Sequence, residues 1–182
     1  MAKKVVTVRE TKVCSEEYGV TTVETSGAGA HAHRRKPCRE CPWRMDVPTG
    51  VFPADAFRES APTAYDGAMK TFGCHMNKTT SVATCAGFLL RHSDNNIGIR
   101  LSLTGERIDL DTVDAGGVPV YPSYREMAIA NGVPADDPVL RQVRANTDVW
   151  DHAARKWVPC DEEGDDGYGR NRRSARISAN GA

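Results

Sequence analysis

Four cysteines in the middle of the chain constrain its fold more than any other feature. They form a Cys-x2-Cys pair followed by two single cysteines after gaps of 32 and 10 residues, at Cys38, Cys41, Cys74 and Cys85. Two cysteines in a tight turn and two from further along can close a tetrahedral site around one zinc ion, or hold an iron–sulfur cluster. Because the longer gap exceeds that of an ordinary zinc finger, we expect the intervening loop to contain folded structure of its own.

The residues around these cysteines favour metal ligation. Pro37 and Pro42 flank the first pair and restrict its backbone, which reduces the entropy lost when both thiolates turn inward. Trp43 follows directly and can cover one side of the site. Apolar residues at helical spacing predict a helix over 82–91, with Cys85 in its first turn, where the helix dipole favours a thiolate.

His75 is a further candidate because it follows Cys74 directly. It could replace one sulfur and give a site of three cysteines and one histidine. Since adjacent residues usually point apart, we expect the two to be alternatives, or His75 to support the site from outside the ligand set.

Three kinds of chemistry compete for the four sulfurs. Thiol–disulfide exchange lacks its usual context, because no β-α-β pattern surrounds the Cys-x2-Cys pair and a proline rather than a helix follows it. Zinc needs only four thiolates, and a 4Fe-4S cluster is held by the same number. We therefore expect zinc as the cofactor, with a 4Fe-4S cluster as the alternative.

The expected function follows from the closed form of such a site. Four protein ligands on zinc leave no position for a substrate water, so catalysis at the metal is not expected. The sequence favours a structural-zinc interaction or regulatory module; the alternatives are a redox or sensing iron–sulfur protein and a nucleic-acid-binding accessory protein. An enzyme built near the site is a further hypothesis, although no spacing specifies a reaction among its acid–base candidates Asp46, His75, His92 and Asp94.

Composition limits the class of protein. A chain of 182 residues with 40% hydrophobic residues suits one modest domain with tails, and six cysteines are too few for a disulfide scaffold. No N-terminal apolar run and no stretch of roughly 18 apolar residues is present, so we expect a cytoplasmic protein without a membrane partner. The formal net charge of zero differs from that of a strongly basic nucleic-acid binder.

Changes in local composition predict three regions. Residues 1–35 form an N-terminal arm, with a possible β-hairpin turning near 16–19 and a Gly/Ala/His linker that contains His31 and His33. Residues 36–158 form the cysteine-rich metal-binding domain, and 159–182 form an acidic-then-basic tail expected to be disordered. Two basic clusters in the arms are the candidate contacts to nucleic acid, at 34–36 and 170–173. The remaining cysteines are expected to be bystanders: Cys14 and Cys160.

Several short helices are predicted within the domain. One begins at Pro53, and a capping box at 123–126 predicts one that stops at 131–132. Segment 95–105 alternates as a strand would, but Asn95 can cap a helix there, and we expect the helix. Another begins at Pro138, but the turn before it is too long for a helix-turn-helix motif and the helix lacks a basic face. The expected fold is a small α+β domain, mainly helical, organised around a four-cysteine metal site, with extended or disordered termini.

Three motifs together resemble a known family. Pro-Cys-x2-Cys-Pro-Trp-Arg at 37–44, Phe72-x-Cys74-His75, and Cys-Ala-Gly-Phe at 85–88 are similar to an uncharacterised cysteine-rich family of actinobacteria and their phages. The resemblance spans about residues 36–146. It implies an actinobacterial or phage source but no mechanism, because that family carries no established activity.

Overall fold

The computed structural model describes residues 3–27, 29–78, 82–144 and 148–159. These residues form a small α+β domain with two two-stranded antiparallel sheets. The strands are β1 (Val5–Val13), β2 (Gly19–Ser26), β3 (Val149–Asp151) and β4 (Lys156–Val158). The α-helices are α1 (Ala54–Ser60), α2 (Ala86–His92), α3 (Ile97–Thr104) and α4 (Tyr124–Ala130), and short 3-10 helices occupy Ala61–Ala64, Leu110–Thr112 and Pro138–Leu140.

Strands β1 and β2 form a hairpin in the segment where alternating β-formers predict one. The pairing runs from Val5 opposite Ser26 to Val13 opposite Gly19, with one irregularity between Val8 and Glu10. An isolated two-stranded hairpin is only marginally stable in water, so its contacts with the domain matter. Among them, the Lys12 amine lies 2.6 Å from the Glu59 carboxylate on α1.

The segment predicted as a linker contacts the domain through both backbone and side chains. The Arg34 N–H donates to the Thr84 carbonyl at 2.9 Å, and the Thr84 N–H donates to the Ala32 carbonyl at 2.8 Å. His31 Nδ1 lies 3.1 Å from the Ser102 hydroxyl on α3. These contacts tie residues 30–34 to the chain directly before Cys85.

Helix α2 begins later than the apolar pattern predicts. The expected helix over 82–91 starts at Ala86, because Thr84 forms single bridges with His33 and with Gly73 and is therefore extended. Cys85 is the N-cap, with φ −69° and ψ 134°, and does not lie in the first turn. The prediction that Cys85 lies in the first turn of the helix is therefore wrong, because the residues before it do not belong to the helix.

The capping signals place the starts of the next two helices to within one residue: Asn95 was the expected cap of α3, and Asn96 is the observed one. The Asn96 side chain accepts from the Ile99 N–H at 2.9 Å and starts α3, so the helical alternative for this segment is confirmed. The Ser123 hydroxyl accepts from the Glu126 N–H at 3.3 Å and starts α4, as the capping box predicts.

The segment after Asp137 forms a single 3-10 turn rather than a full helix. A helix-turn-helix pair therefore lacks its second helix in this part of the chain. No helix of the described residues is both long and apolar enough to cross a membrane; α3 has only eight residues.

The core is built around Trp43, which is completely buried. Its ring lies 5.6 Å from the ring of His92, 6.0 Å from that of Tyr124 and 6.3 Å from that of Phe88, measured between centroids in edge-on arrangements. Gly87 lets α2 approach the indole closely, because a Cβ at this position would lie 2.4 Å from the Trp43 Cβ. The residue after the Cys-x2-Cys-Pro turn therefore anchors that turn in the core.

Strands β3 and β4 form a small hairpin that the sequence patterns do not predict. The ring centroids of Trp150 and Trp157 lie 5.1 Å apart in an edge-on arrangement. The Trp157 indole N–H donates to the hydroxyl of Ser93, just after α2, at 3.1 Å. The Arg100 guanidinium lies 5.9 Å from the Trp157 ring centroid. These contacts join the second hairpin to α2 and α3.

Candidate metal centre

Two short sulfur–sulfur contacts join the four predicted ligands in pairs, and the thiols of Cys38 and Cys41 also interact. The Sγ atoms of Cys41 and Cys85 are 3.7 Å apart, and those of Cys38 and Cys74 are 3.9 Å apart. All four are free thiols. Each of the two later cysteines therefore contacts a different member of the Cys-x2-Cys pair.

Cys74 and Cys85 lie in two segments that pair in an antiparallel bridge, and this pairing places both side chains on one face. The Cys74 N–H donates to the Ala83 carbonyl and the Cys85 N–H to the Phe72 carbonyl, both at 2.9 Å, on either side of the bridge between Gly73 and Thr84. Side chains alternate between faces in extended chain, so the neighbours of a bridged pair share one face. The two sulfurs consequently face the turn that carries the first pair.

The first pair lies in a turn closed by its own backbone. The Cys41 N–H donates to the Cys38 carbonyl at 3.2 Å, and the Arg44 N–H donates to the Cys41 carbonyl at 3.0 Å. The Arg44 guanidinium lies 3.5 Å from the Cys38 carbonyl and also binds the Asp46 carboxylate at 2.6 Å. Arg44 thus braces the turn, a role for which the motif gave no signal beyond its presence in Pro-Trp-Arg.

His75 also reaches the cluster. Its Nε2 lies 3.3 Å from the Cys38 Sγ, and its ring lies 5.1 Å from the ring of Phe52. Its Nδ1 is buried and has no hydrogen-bond partner among the described residues. The adjacent residues Cys74 and His75 therefore both contact the same sulfur, although neighbours were expected to point apart.

These contacts do not amount to a completed metal site. Within the four described stretches of chain, no three His, Cys, Asp or Glu side chains are arranged so that they could hold a metal ion. The sulfurs are near each other in pairs, and an ion would require the two pairs to close around a common point. The four-cysteine site predicted from the sequence is thus shown only as a proximity of its ligands.

The pKa values of three clustered thiols are raised, those of Cys38, Cys41 and Cys74. Contact with the Cys41 thiol raises the pKa of Cys38, and contact with Cys38 raises that of Cys74. For Cys41, contact with Cys38 lowers the pKa, but contact with Cys85 and burial raise it by more. The net rise follows because burial and a neighbouring thiolate each disfavour a further negative charge. A cation at the cluster would reverse this balance.

The remaining cysteines and acid–base candidates have other surroundings. Cys14 lies at the turn of the first hairpin, with its sulfur 3.6 Å from the Lys12 carbonyl, and Cys160 lies outside the described residues. Asp46 is paired with Arg44. The carboxylate of Asp94 lies 3.2 Å from the Arg144 guanidinium.

His92 is a core residue held in one tautomer. Its Nε2 accepts from the Tyr124 N–H at 3.0 Å, so the proton must be on Nδ1, which lies 3.3 Å from the Asn95 side-chain oxygen. Burial lowers the pKa of His92 to about 4. A second proton would place two N–H groups against each other, so the structure does not support a general-acid role for His92.

The pKa of His92 is lowered and that of Asp94 is raised, so their effects on the pH dependence of stability oppose each other. Substitution of Asp94 alone should reveal the effect of His92. Burial raises the pKa of Asp94 to about 6, so protonating it in the folded state stabilises the fold as pH falls from 6 toward 4. His92, whose folded pKa is about 4, destabilises the fold as pH falls from about 6.5 to 4, because only the unfolded chain takes up the proton. Each shift corresponds to about 3 kcal/mol, with opposite sign.

In the Asp94→Asn variant the His92 effect is unopposed. We expect its free energy of unfolding to fall between pH 6.5 and 4 by about 3 kcal/mol more than that of the original chain. Urea denaturation at half-unit pH steps measures this difference. Asp136→Asn makes the same change of charge at an exposed position and should follow the original curve. Parallel curves of unfolding free energy against pH for Asp94→Asn and the original chain would contradict the raised pKa of Asp94.

Comparison with known proteins adds a family but no activity. No curated protein and no solved structure matches the chain. The sequence profile of a family described as a family of unknown function, DUF6283, matches residues 33–144. This span contains all four clustered cysteines and helices α1 to α4, and it leaves out both hairpins. Because the match covers more than half of the chain, the protein belongs to the DUF6283 family.

Proposed function

We propose that the chain binds one zinc ion through Cys38, Cys41, Cys74 and Cys85, and that this ion is the structural centre of an interaction or regulatory module. The sulfur–sulfur distances carry the proposal. In a tetrahedral site with Zn–S bonds of about 2.3 Å, neighbouring sulfurs lie about 3.8 Å apart. The two observed contacts, 3.7 Å and 3.9 Å, have this length.

The same distances favour a single ion over an iron–sulfur cluster. The thiolates of a cluster bind separate irons around an inorganic core, so their sulfurs lie further apart than the ligands of one ion. Sulfurs already at the spacing of a tetrahedron would have to separate to admit a cluster. Zinc needs only that the two pairs approach each other.

The protonation balance of the cluster also supports a bound cation. Thiols whose pKa values are raised in the cluster gain little from proximity alone. A divalent ion compensates several thiolates at once, and its binding free energy then contributes to folding. This gives a physical reason for gathering four sulfurs in a small domain.

The surroundings of the site favour a structural role over catalysis. Cys41 and Cys85 are buried at the edge of the core that contains Trp43, and four sulfur ligands would leave no open position on zinc. His75 would support the Cys38 ligand through its Nε2. Such a site fixes the segments on either side of it and presents their surface to a partner.

Metal analysis of the purified protein tests the proposal. Protein made in medium with both zinc and iron, and purified with and without air, is expected to be colourless and to contain one zinc per chain. Several irons per chain together with broad visible absorbance would contradict the zinc proposal and identify an iron–sulfur cluster instead. Protein that contains neither metal, and binds neither on addition under reducing conditions, would contradict metal binding altogether.

A further inference from the structure

Cys38 is the accessible sulfur of the cluster. Cys41, Cys74 and Cys85 are 0%, 4% and 2% exposed, whereas Cys38 is only partly buried. The residues that follow Cys38, Arg39 and Glu40, are exposed as well. A small reagent from solvent therefore meets Cys38 before it meets any other sulfur of the site.

The Cys38 thiol interacts with two other thiols of the cluster, those of Cys41 and Cys74. The Cys74 sulfur is 3.9 Å away, on a segment 36 residues further along the chain. A disulfide bond is about 2.05 Å long, so the two sulfurs need to approach by roughly 2 Å. The His75 Nε2 lies 3.3 Å from the same Cys38 sulfur.

We propose that Cys38 and Cys74 form the redox-sensitive half of the site, and that a hydroperoxide converts them to a disulfide and thereby releases the metal. The disulfide part of this proposal rests on the sulfur geometry, and the release part rests on the proposed zinc site. Cys41 and Cys85, which are both buried, form the half that stays reduced.

The chemistry balances with a hydroperoxide as the only added reactant. The Cys38 thiolate attacks the terminal peroxide oxygen, the O–O bond breaks, and the departing oxygen takes a proton from solvent to give an alcohol or water. Cys38 is then a sulfenic acid. The Cys74 sulfur attacks the Cys38 sulfur, an S–S bond forms, and the hydroxyl leaves as water with the thiol proton. Two thiols lose two electrons, and the peroxide gains them.

Loss of these two ligands leaves zinc with Cys41 and Cys85 alone. Half of the protein ligands are then gone, and a structural site needs all four for tight binding. Because metal binding and folding are coupled, the segments fixed by the ion would loosen when it leaves. The module would therefore change its surface in response to peroxide and recover it on reduction.

Zinc release and disulfide mapping after peroxide treatment test the proposal. Zinc-loaded protein in a Cys14→Ser/Cys160→Ser background is treated with hydrogen peroxide, with a chelating dye to record free zinc and peptide mass spectrometry to identify disulfides. We expect zinc release in step with a Cys38–Cys74 disulfide, and recovery after dithiothreitol and zinc. A Cys41–Cys85 disulfide appearing first, a mixture of pairings, or a Cys38–Cys74 disulfide with the zinc retained would overturn it.

The same treatment of metal-free, reduced protein separates the two proposals. If purified protein holds no zinc, the proposed function fails, yet preferential formation of the Cys38–Cys74 disulfide still supports the redox pair. In metal-free Cys74→Ser protein, the sulfenic acid should accumulate on Cys38 and be captured by dimedone. Dimedone capture on another cysteine would contradict the proposal that Cys38 reacts first. If the Cys74→Ser variant does not fold, the disulfide mapping of the protein with Cys74 intact decides the question.

Discussion

Replacing Cys85 with serine is expected to abolish binding of the proposed zinc ion and cooperative unfolding of the domain. Cys85 is 2% exposed, its sulfur contacts that of Cys41, and its backbone N–H pairs with Phe72. Structural zinc contributes on the order of 10–16 kcal/mol in small metal-dependent domains, about as much as the whole stability of a typical domain. Elemental analysis and a thermal scan followed by circular dichroism measure both losses.

Cys14→Ser is the matched control for this prediction. Cys14 is half-buried at the turn of the first hairpin, where its sulfur contacts only a backbone carbonyl among the described hydrogen bonds. This variant should retain one zinc per chain and unfold within a few degrees of the original chain, since substitutions outside special features change stability by about 0.5 kcal/mol or less. A Cys85→Ser protein that keeps a full zinc and the original transition would refute a four-sulfur site.

Gly87→Ala is expected to destabilise the domain although alanine is the better helix former. An added Cβ would lie 2.4 Å from the Trp43 Cβ and 2.5 Å from its Cγ, distances that force the helix and the indole apart. Alanine gains about 1 kcal/mol in helix propensity, whereas overpacking a core costs roughly 1–3 kcal/mol and occasionally more. The clash is with atoms near the backbone, which cannot rotate away, so we expect a net loss of about 2 kcal/mol or more.

Urea denaturation measures this loss for Gly87→Ala. We expect a lower midpoint with an unchanged dependence of the unfolding free energy on urea concentration. The control is Gly105→Ala at the exposed end of α3, where the added Cβ meets the flexible Arg107 side chain at 3.0 Å and φ is −87°. Its stability should remain within about 0.5 kcal/mol of the original. Zinc affinity should also fall in Gly87→Ala, because displacement of α2 moves Cys85 at its N-cap. Equal midpoints for the two variants would contradict the close approach of α2 to Trp43.

The sequence predicts those parts of the fold that short-range chemistry determines. The hydroxyl of Ser123 and the glutamate three residues later define the start of α4, and Asn96 defines the start of α3, one residue after the cap expected from the pattern. The four clustered cysteines could be chosen by spacing alone, and their sulfurs do lie in contact as pairs.

Other features depend on partners that are distant in sequence. Apolar spacing includes residues 82–84 in α2, but Thr84 is extended because it bridges to Gly73 and His33. The strands β3 and β4 have three residues each, too few to show an alternating pattern, and they are held by Trp150 and Trp157. The sequence allowed Trp43 both to cover the metal site and to pack in the core, and only the structure gives its contacts with the aromatic rings of α2 and α4.

The bridge between Gly73 and Thr84 determines which changes of chain length the cluster can tolerate in evolution. Cys74 and Cys85 share a face because each lies one residue beyond a bridged residue, on opposite ends of the pair. An insertion between residues 78 and 82 keeps both the bridge and the hydrogen bonds of Asn77 to the Ala83 backbone, at a small entropic cost. An insertion between Gly73 and Cys74 would instead turn that sulfur to the opposite face. Relatives should therefore vary in the gap between these two cysteines while keeping Phe-x-Cys and Thr-Cys intact, and searches for distant members should leave that gap open.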